Sequence, residues 1–190
     1  MKKIMFNDKY GLTQAVLEKR KTMTRRIVPQ SVLDHYLCNA EDPTIIDAAR
    51  YEIGDVVAIA QAYAEVKKGG YPVDSRYDPF RYAYSVGLIT EKNKGWRNKM
   101  FVGADLMPHV ILITDVRVER LQDISEGDCI AEGIFDLEPY GIRPKFTANK
   151  LGNVFFAERE AFAALIDKIS GKGTWERNPW VFVYEFELIQ

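Results

Sequence analysis

Cysteine and histidine are scarce in this 190-residue chain, with two of each. Cys38 and Cys129 lie far apart, and neither has a second ligand at short spacing. That excludes a disulfide framework and a cysteine-rich metal knuckle. His35 and His109 lie outside any His-Glu-x-x-His context, so no metal site and no cofactor is expected. Long apolar runs are missing as well. No segment approaches the ~20 apolar residues of a membrane span. The opening MKKIMFNDKYG lacks an apolar leader, so no membrane partner and a cytoplasmic setting are expected. Repeats and low-complexity tracts are absent. A large excess of one charge is absent too: 26 basic against 27 acidic residues leave a net of -1. That excludes a protein that coats nucleic acid by bulk charge alone.

The balance is uneven along the chain. Residues 1–30 carry eight Lys/Arg against Asp8 and Glu18, a net of +6, which leaves -7 for the remainder. The concentration is greatest around Arg20, Lys21, Thr22, Met23, Thr24, Arg25 and Arg26. Lysine offers a compact point charge and arginine a rigid donor fork, and hydroxyls between them suit phosphate oxygens or a positioned water. A localised basic patch on an acidic body fits a selective anionic ligand.

An apolar fraction of 47% is ample for a core without metal or disulfide support. Leu12, Ala15, Val16 and Lys19 recur at helical spacing behind an Asn7 or Asp8 cap, and the helix delivers the basic cluster at its C-terminal end. Residues 56–66 read as a nearly continuous apolar strand and 110–121 as a second, alternating one. Ser125 and Asp128 resemble a capping box opening a short helix that Gly133 stops. Phe155, Ala161, Phe162, Leu165, Ile166 and Ile169 line one face of a helix over 154–169. Residues 180–189 close the chain as an aromatic and β-branched strand. Tyr82–Val86 reads as a further strand inside a long insertion. That insertion interleaves Tyr71, Tyr77, Phe80, Tyr82, Tyr84 and Trp96 with Arg76, Arg81, Lys92, Lys94, Arg97 and Lys99, a composition that suits either base stacking or a satellite core. The expected architecture is a single α+β domain over 1–190, with insertions near 31–50, 67–108 and 135–152. Its sheet is expected to form a small mixed β-barrel with helices at its mouth.

Four blocks, in order, resemble the ASCH family of the PUA-like superfamily, in its phage and prophage form. Residues 17–26, Leu-Glu-Lys-Arg-Lys-Thr-Met-Thr-Arg-Arg, resemble its Gly-Arg-Lys-Thr-x-Thr-x-Arg signature, with Lys19 in place of the glycine. Tyr51–Val57 resembles its Gly-Asp lead into a strand. Residues 113–125, continuing to 131–134, and residues 178–186 resemble its later strands. Ala60, Gln61, Ala62 and Tyr63 stand where such members carry Arg-Glu-Thr-Trp, so an arginine and a carboxylate of the cleft are replaced.

The resemblance implies a PUA-like barrel that binds RNA or a modified nucleoside or nucleotide, a role that requires no turnover. It also implies two alternatives, an amidohydrolase acting on N4-acetylcytidine or a related acylated nucleoside, and a ribonuclease. For hydrolysis it points to Lys21, Thr24 and Glu132. Lys21 would serve as base or oxyanion donor, Thr24 as nucleophile or water anchor, and Glu132 as the proton carrier. Arg20, Arg25 and Arg26 are the candidate phosphate contacts, or else internal ties to Glu65, Glu119 or Glu185. Gln61 is the candidate reader of a base edge, and Tyr63 and Trp96 are the candidate stacking rings.

Overall fold

The computed structural model describes residues 1–36, 43–69, 79–139, 144–148 and 151–189. Cys38, Tyr71, Arg76 and Tyr77 lie outside the described residues. In chain order the elements are β1 (Lys2–Ile4), α1 (Leu12–Leu17), β2 (Met23–Ile27), α2 (Gln30–Tyr36), β3 (Val56–Ile59), α3 (Tyr63–Lys68) and α4 (Pro79–Ser85). They continue with β4 (Val110–Arg120), α5 (Glu126–Ala131), β5 (Phe135–Asp136), β6 (Phe146–Thr147), α6 (Glu158–Ser170), α7 (Thr174–Arg177) and β7 (Trp180–Leu188). Two compact units are interleaved in the sequence. One comprises Met1–Phe6, Val56–Leu112 and Leu188–Gln190, and the other Asn7–Asp55 and Ile113–Glu187.

The fold is α+β, and the expected barrel does not form. Five strands pair in the order β1-β3-β4-β7-β2, and the two end strands are not partners of each other, so the sheet is open. β1 runs parallel to β3, whereas β3 is antiparallel to β4 and β2 is antiparallel to β7. Closure requires tilted strands long enough to stagger around an axis. β1 has three residues and β3 only four. The apolar run over 56–66, which reads as one strand, stops at Ile59 and turns into α3 at Tyr63. Alternation cannot distinguish a buried strand from a buried helix when every residue is apolar. The same ambiguity reverses Tyr82–Val86, which lies largely in α4 rather than in a strand.

The first unit packs α3, α4 and the segment 89–110 around Tyr63, Val66, Phe80 and Val102. Lys3 Nζ donates to the carbonyls of Met100 (2.8 Å) and Val102 (2.7 Å), and Lys99 Nζ donates to that of Phe6. These lysines satisfy loop carbonyls that no strand partner reaches.

The second unit contains β2, β7, α1 and the α5–α7 helices. Ser125 caps α5 as expected, its Oγ accepting the Asp128 N–H at 3.0 Å. α6 buries Ala161, Phe162, Leu165 and Ile166. Asp167 then accepts the N–H groups of Gly173 and Trp175, both at 2.9 Å, which fixes the turn into α7. Among the described residues, no helix is long and apolar enough to cross a membrane.

Candidate functional site

α1 ends through Lys19, whose φ of +58° lies in the left-handed region. This is the conformation that a glycine adopts without strain. The lysine therefore keeps the turn that the signature glycine would make, at a strain of roughly 1–2 kcal/mol. Beyond the turn the N–H groups of Arg20 and Lys21 both bond back to Ala15 O, at 2.8 and 3.0 Å. The chain then enters β2, so the basic cluster is mostly strand rather than turn.

Along β2 the register on β7 is Met23↔Glu185, Thr24↔Tyr184, Arg25↔Val183 and Arg26↔Phe182. Successive strand residues point to opposite faces. Met23 and Arg25 therefore share one face and Thr24 and Arg26 the other.

The Arg25 face is an ion-pair lattice. Arg25 Nη2 reaches Glu119 at 2.6 Å and Asp128 at 2.5 Å, and Nη1 reaches Glu132 at 3.4 Å. Arg117 pairs in turn with Asp115 (3.1 Å), Glu119 (3.3 Å), Asp128 (3.3 Å) and Glu185. Burial alone would lower the Arg25 pKa, but Glu132, Asp128 and Glu119 outweigh it and raise the value. An arginine with three carboxylates has little left for a phosphate. It serves as the internal tie, with Glu119 among its partners, and Arg117 takes Glu185.

Lys21 lies at the buried end of this lattice, with 1% of its side chain exposed against 7% for Glu132. Its ammonium donates to Glu132 Oε2 at 2.5 Å, to Glu132 O at 2.8 Å and to Met23 O at 2.6 Å. An ammonium has three protons, and these are three acceptors. Two backbone carbonyls at the end of α5 are held here. Lys21 Nζ and the Thr22 N–H take the carbonyls of Glu132 and Ala131 that the helix leaves unpaired. Gly133, at φ +104°, turns the chain away beside Leu12 and the Lys21 stem. Burial pulls the Lys21 pKa below its ordinary value, while Glu132 acts in the opposite direction. Lys21 and Glu132, two of the three residues that the resemblance singles out, thus meet.

Thr24 is 5% exposed, and its hydroxyl makes no hydrogen bond with the described residues. The one fully enclosed side-chain polar atom without a partner among them is Gln61 Oε1. Arg26, on the same face, stays exposed although neighbours crowd it. Burial lowers its pKa, with opposing contributions from Glu132, Tyr51 and Tyr184 and a like-charge push from Arg50. Tyr51 and Tyr184 are buried and meet edge to face at 5.2 Å. The Tyr184 hydroxyl accepts the Arg50 N–H at 3.1 Å, and the exposed Arg50 guanidinium lies over the Tyr51 ring at 5.5 Å. The tyrosines are buried beneath the two exposed arginine residues.

The remaining candidates lie elsewhere. Arg20 is exposed and pairs with Glu18 at 2.5 Å. Gln61, Tyr63 and Trp96 belong to the other unit. Gln61 Oε1 is walled in, so the acceptor that base reading requires is closed off. Tyr63 is 5% exposed and its hydroxyl accepts the Gly103 N–H at 2.8 Å, which makes it a core residue. Trp96 is half-buried. Sequence reasoning missed Arg50, Tyr51, Tyr184, Arg117 and Asp128 as parts of this site. The alternation of Asp115, Arg117 and Glu119 along β4 was a readable signal for the lattice, whereas nothing local marks Arg50 or Tyr184. No family model, curated protein or solved structure matches this chain.

Proposed function

We propose that this protein binds RNA or a modified nucleotide through the open face of β2. One observation carries the reading: Arg26 and Arg50 are exposed like charges within electrostatic reach of each other, and Arg26 shares its face of β2 with Thr24. A phosphate accepts fork-like hydrogen bonds from guanidinium groups and eases the repulsion between neighbouring ones. The Thr24 hydroxyl supplies a neutral donor or acceptor for a sugar or base. The signature-like block over 17–26 supports the same ligand class, independently of the barrel that this chain does not form.

A second reading, hydrolysis of an acylated nucleoside, is favoured by the buried Lys21–Glu132 pair. A lowered ammonium pKa brings a neutral amine within reach at the cost of one proton passed to Glu132. In that reading a water attacks the acyl carbon and its proton goes to the amine, leaving acetate. The C–N bond breaks as the proton is delivered to the departing cytosine nitrogen. Binding is preferred because the pair is closed to solvent whereas Arg26 and Arg50 are exposed.

The test is titration with cytidine monophosphate and cytidine, beside incubation with N4-acetylcytidine. Salt-sensitive affinity for the monophosphate that Arg26→Ala abolishes supports binding. Release of acetate by the wild type, lost in Lys21→Ala and Thr24→Ala, moves the assignment to the hydrolase. Neither affinity nor turnover removes both.

A further inference from the structure

The first unit contains a graded row of aromatic rings with an open end. Tyr63 and Phe80 lie 5.6 Å apart, Phe80 and Tyr84 6.1 Å, and Tyr84 and Trp96 5.9 Å, with interplanar angles of 33°, 18° and 22°. The first two rings are 5% and 2% exposed, and the last two are only half-buried. The inner rings are therefore core, and the outer ones are held in a fixed orientation by that core. Gly95 sets the seat of Trp96, since a Cβ there would fall 2.5 Å from the Tyr63 ring. The peptide lies flat on the tyrosine and only glycine permits the approach.

Cations surround the open end. Lys67 Nζ lies 4.6 Å above the Tyr84 ring and 5.5 Å above Trp96, and donates to the Tyr84 hydroxyl at 2.7 Å. Lys94 lies 5.6 Å above Phe101, a ring that is 53% exposed. Lys92, Lys94 and Arg97 are exposed and form no ion pair with the described residues. Lys67 also pairs with Glu91 at 3.6 Å, so the open charge is that of Lys92, Lys94 and Arg97. Rigid rings of graded exposure beside this charge match the two components of single-strand recognition. One is a face for a base, and the other is a charge for the phosphate beside it.

We propose that Trp96 and Phe101, with Lys67, Lys94 and Arg97, form a stacking platform for the unpaired bases of a single-stranded nucleic acid. The proposal deepens the nucleotide reading of the β2 face, on which it rests for the class of ligand, and changes the partner from a free nucleotide to an oligonucleotide.

The experiment measures fluorescence anisotropy of a labelled eight-nucleotide oligouridylate with the full chain, at several salt concentrations. Oligodeoxythymidylate, an RNA hairpin without free bases and an oligoglutamate serve as comparison probes. Trp96→Ala is expected to weaken oligouridylate binding about tenfold and Trp96→Phe to restore most of it, because a ring suffices. Phe101→Ala, at an exposed position, gives a parallel loss if Trp96→Ala fails to fold. Lys94→Gln should reduce the salt slope by about one phosphate. Unchanged oligouridylate affinity in Trp96→Ala and Phe101→Ala overturns the platform. So does equal binding of the fully paired hairpin or of the oligoglutamate, which carries charge without a π-face. Oligouridylate binding that depends on Trp96, with no affinity for cytidine monophosphate, would leave the platform standing and remove the β2 reading. The reverse pattern removes the platform alone.

Discussion

Replacing Glu132 by glutamine keeps the shape of the side chain and deletes its charge. In the native fold that charge stands 2.5 Å from the Lys21 ammonium and 3.4 Å from an Arg25 nitrogen. At an effective dielectric of about 20, the nearer attraction alone is roughly 6–7 kcal/mol. Desolvation of two ions offsets much of it, so the pair as a whole contributes little net stability. Breaking it from one side is different. Lys21 then remains an ion at 1% exposure with only carbonyls for company, and the expected loss for Glu132→Gln is about 3–5 kcal/mol. Lys21→Met should cost less, about 1–3 kcal/mol, since Glu132 retains Arg25. The double variant Lys21→Met, Glu132→Leu should recover much of the loss, because neither ion is then stranded. Urea denaturation followed by circular dichroism gives all three values and hence the coupling energy. A Glu132→Gln protein within about 1 kcal/mol of wild type, or a double variant that simply sums the two losses, would refute this account of a closed, mutually dependent pair.

Lys21 also sets a pH dependence. Its folded pKa lies below the ordinary 10.5, so over that interval the unfolded chain holds the proton more tightly. Stability should therefore rise with pH up to about 10.5 and level off, and Lys21→Met should lack the rise. Burial would raise the Asp128 pKa, but Arg25, Ser125 and Arg117 lower it overall. Its contribution should be present above the ordinary carboxylate value and vanish as acid takes the pH through the folded one, a limb that Asp128→Asn should lose in an acid titration. Lys19→Gly should stabilise the chain by about 1 kcal/mol in thermal or urea unfolding, since glycine relieves the left-handed strain. Gly133→Ala should destabilise it by about 1–3 kcal/mol, with its φ of +104° and its new methyl 3.2 Å from Leu12.

The sequence revealed the parts whose signals are local. The Ser125 cap, the Gly171 stop of α6 and the alternation of β4 are each written within a few residues, and each is found in place. Lys21 and Glu132 were legible as partners only through the resemblance, since 111 residues separate them. The barrel failed because its premise was a long strand after Gly54. An unbroken apolar run has no period, so nothing in it distinguishes Ile59, which ends a strand, from Tyr63, which starts a helix. Arg25 was read as a phosphate contact or an internal tie, and of the two the tie to Glu119 is found, joined by Asp128 and Glu132. Its real partners come from β4 and α5, far along the chain, and a positive residue gives no local sign of how many carboxylates the fold will bring to it.

β2 divides its duties by residue parity. Arg25 anchors one side through ions that the interior requires, and Thr24 and Arg26 offer the other side to whatever arrives. Adjacent codons therefore answer to separate selective pressures. On the proposed binding reading, ligand preference can drift at positions 24 and 26 while the anchorage at 25 stays fixed, so changes of specificity need not pass through unstable intermediates.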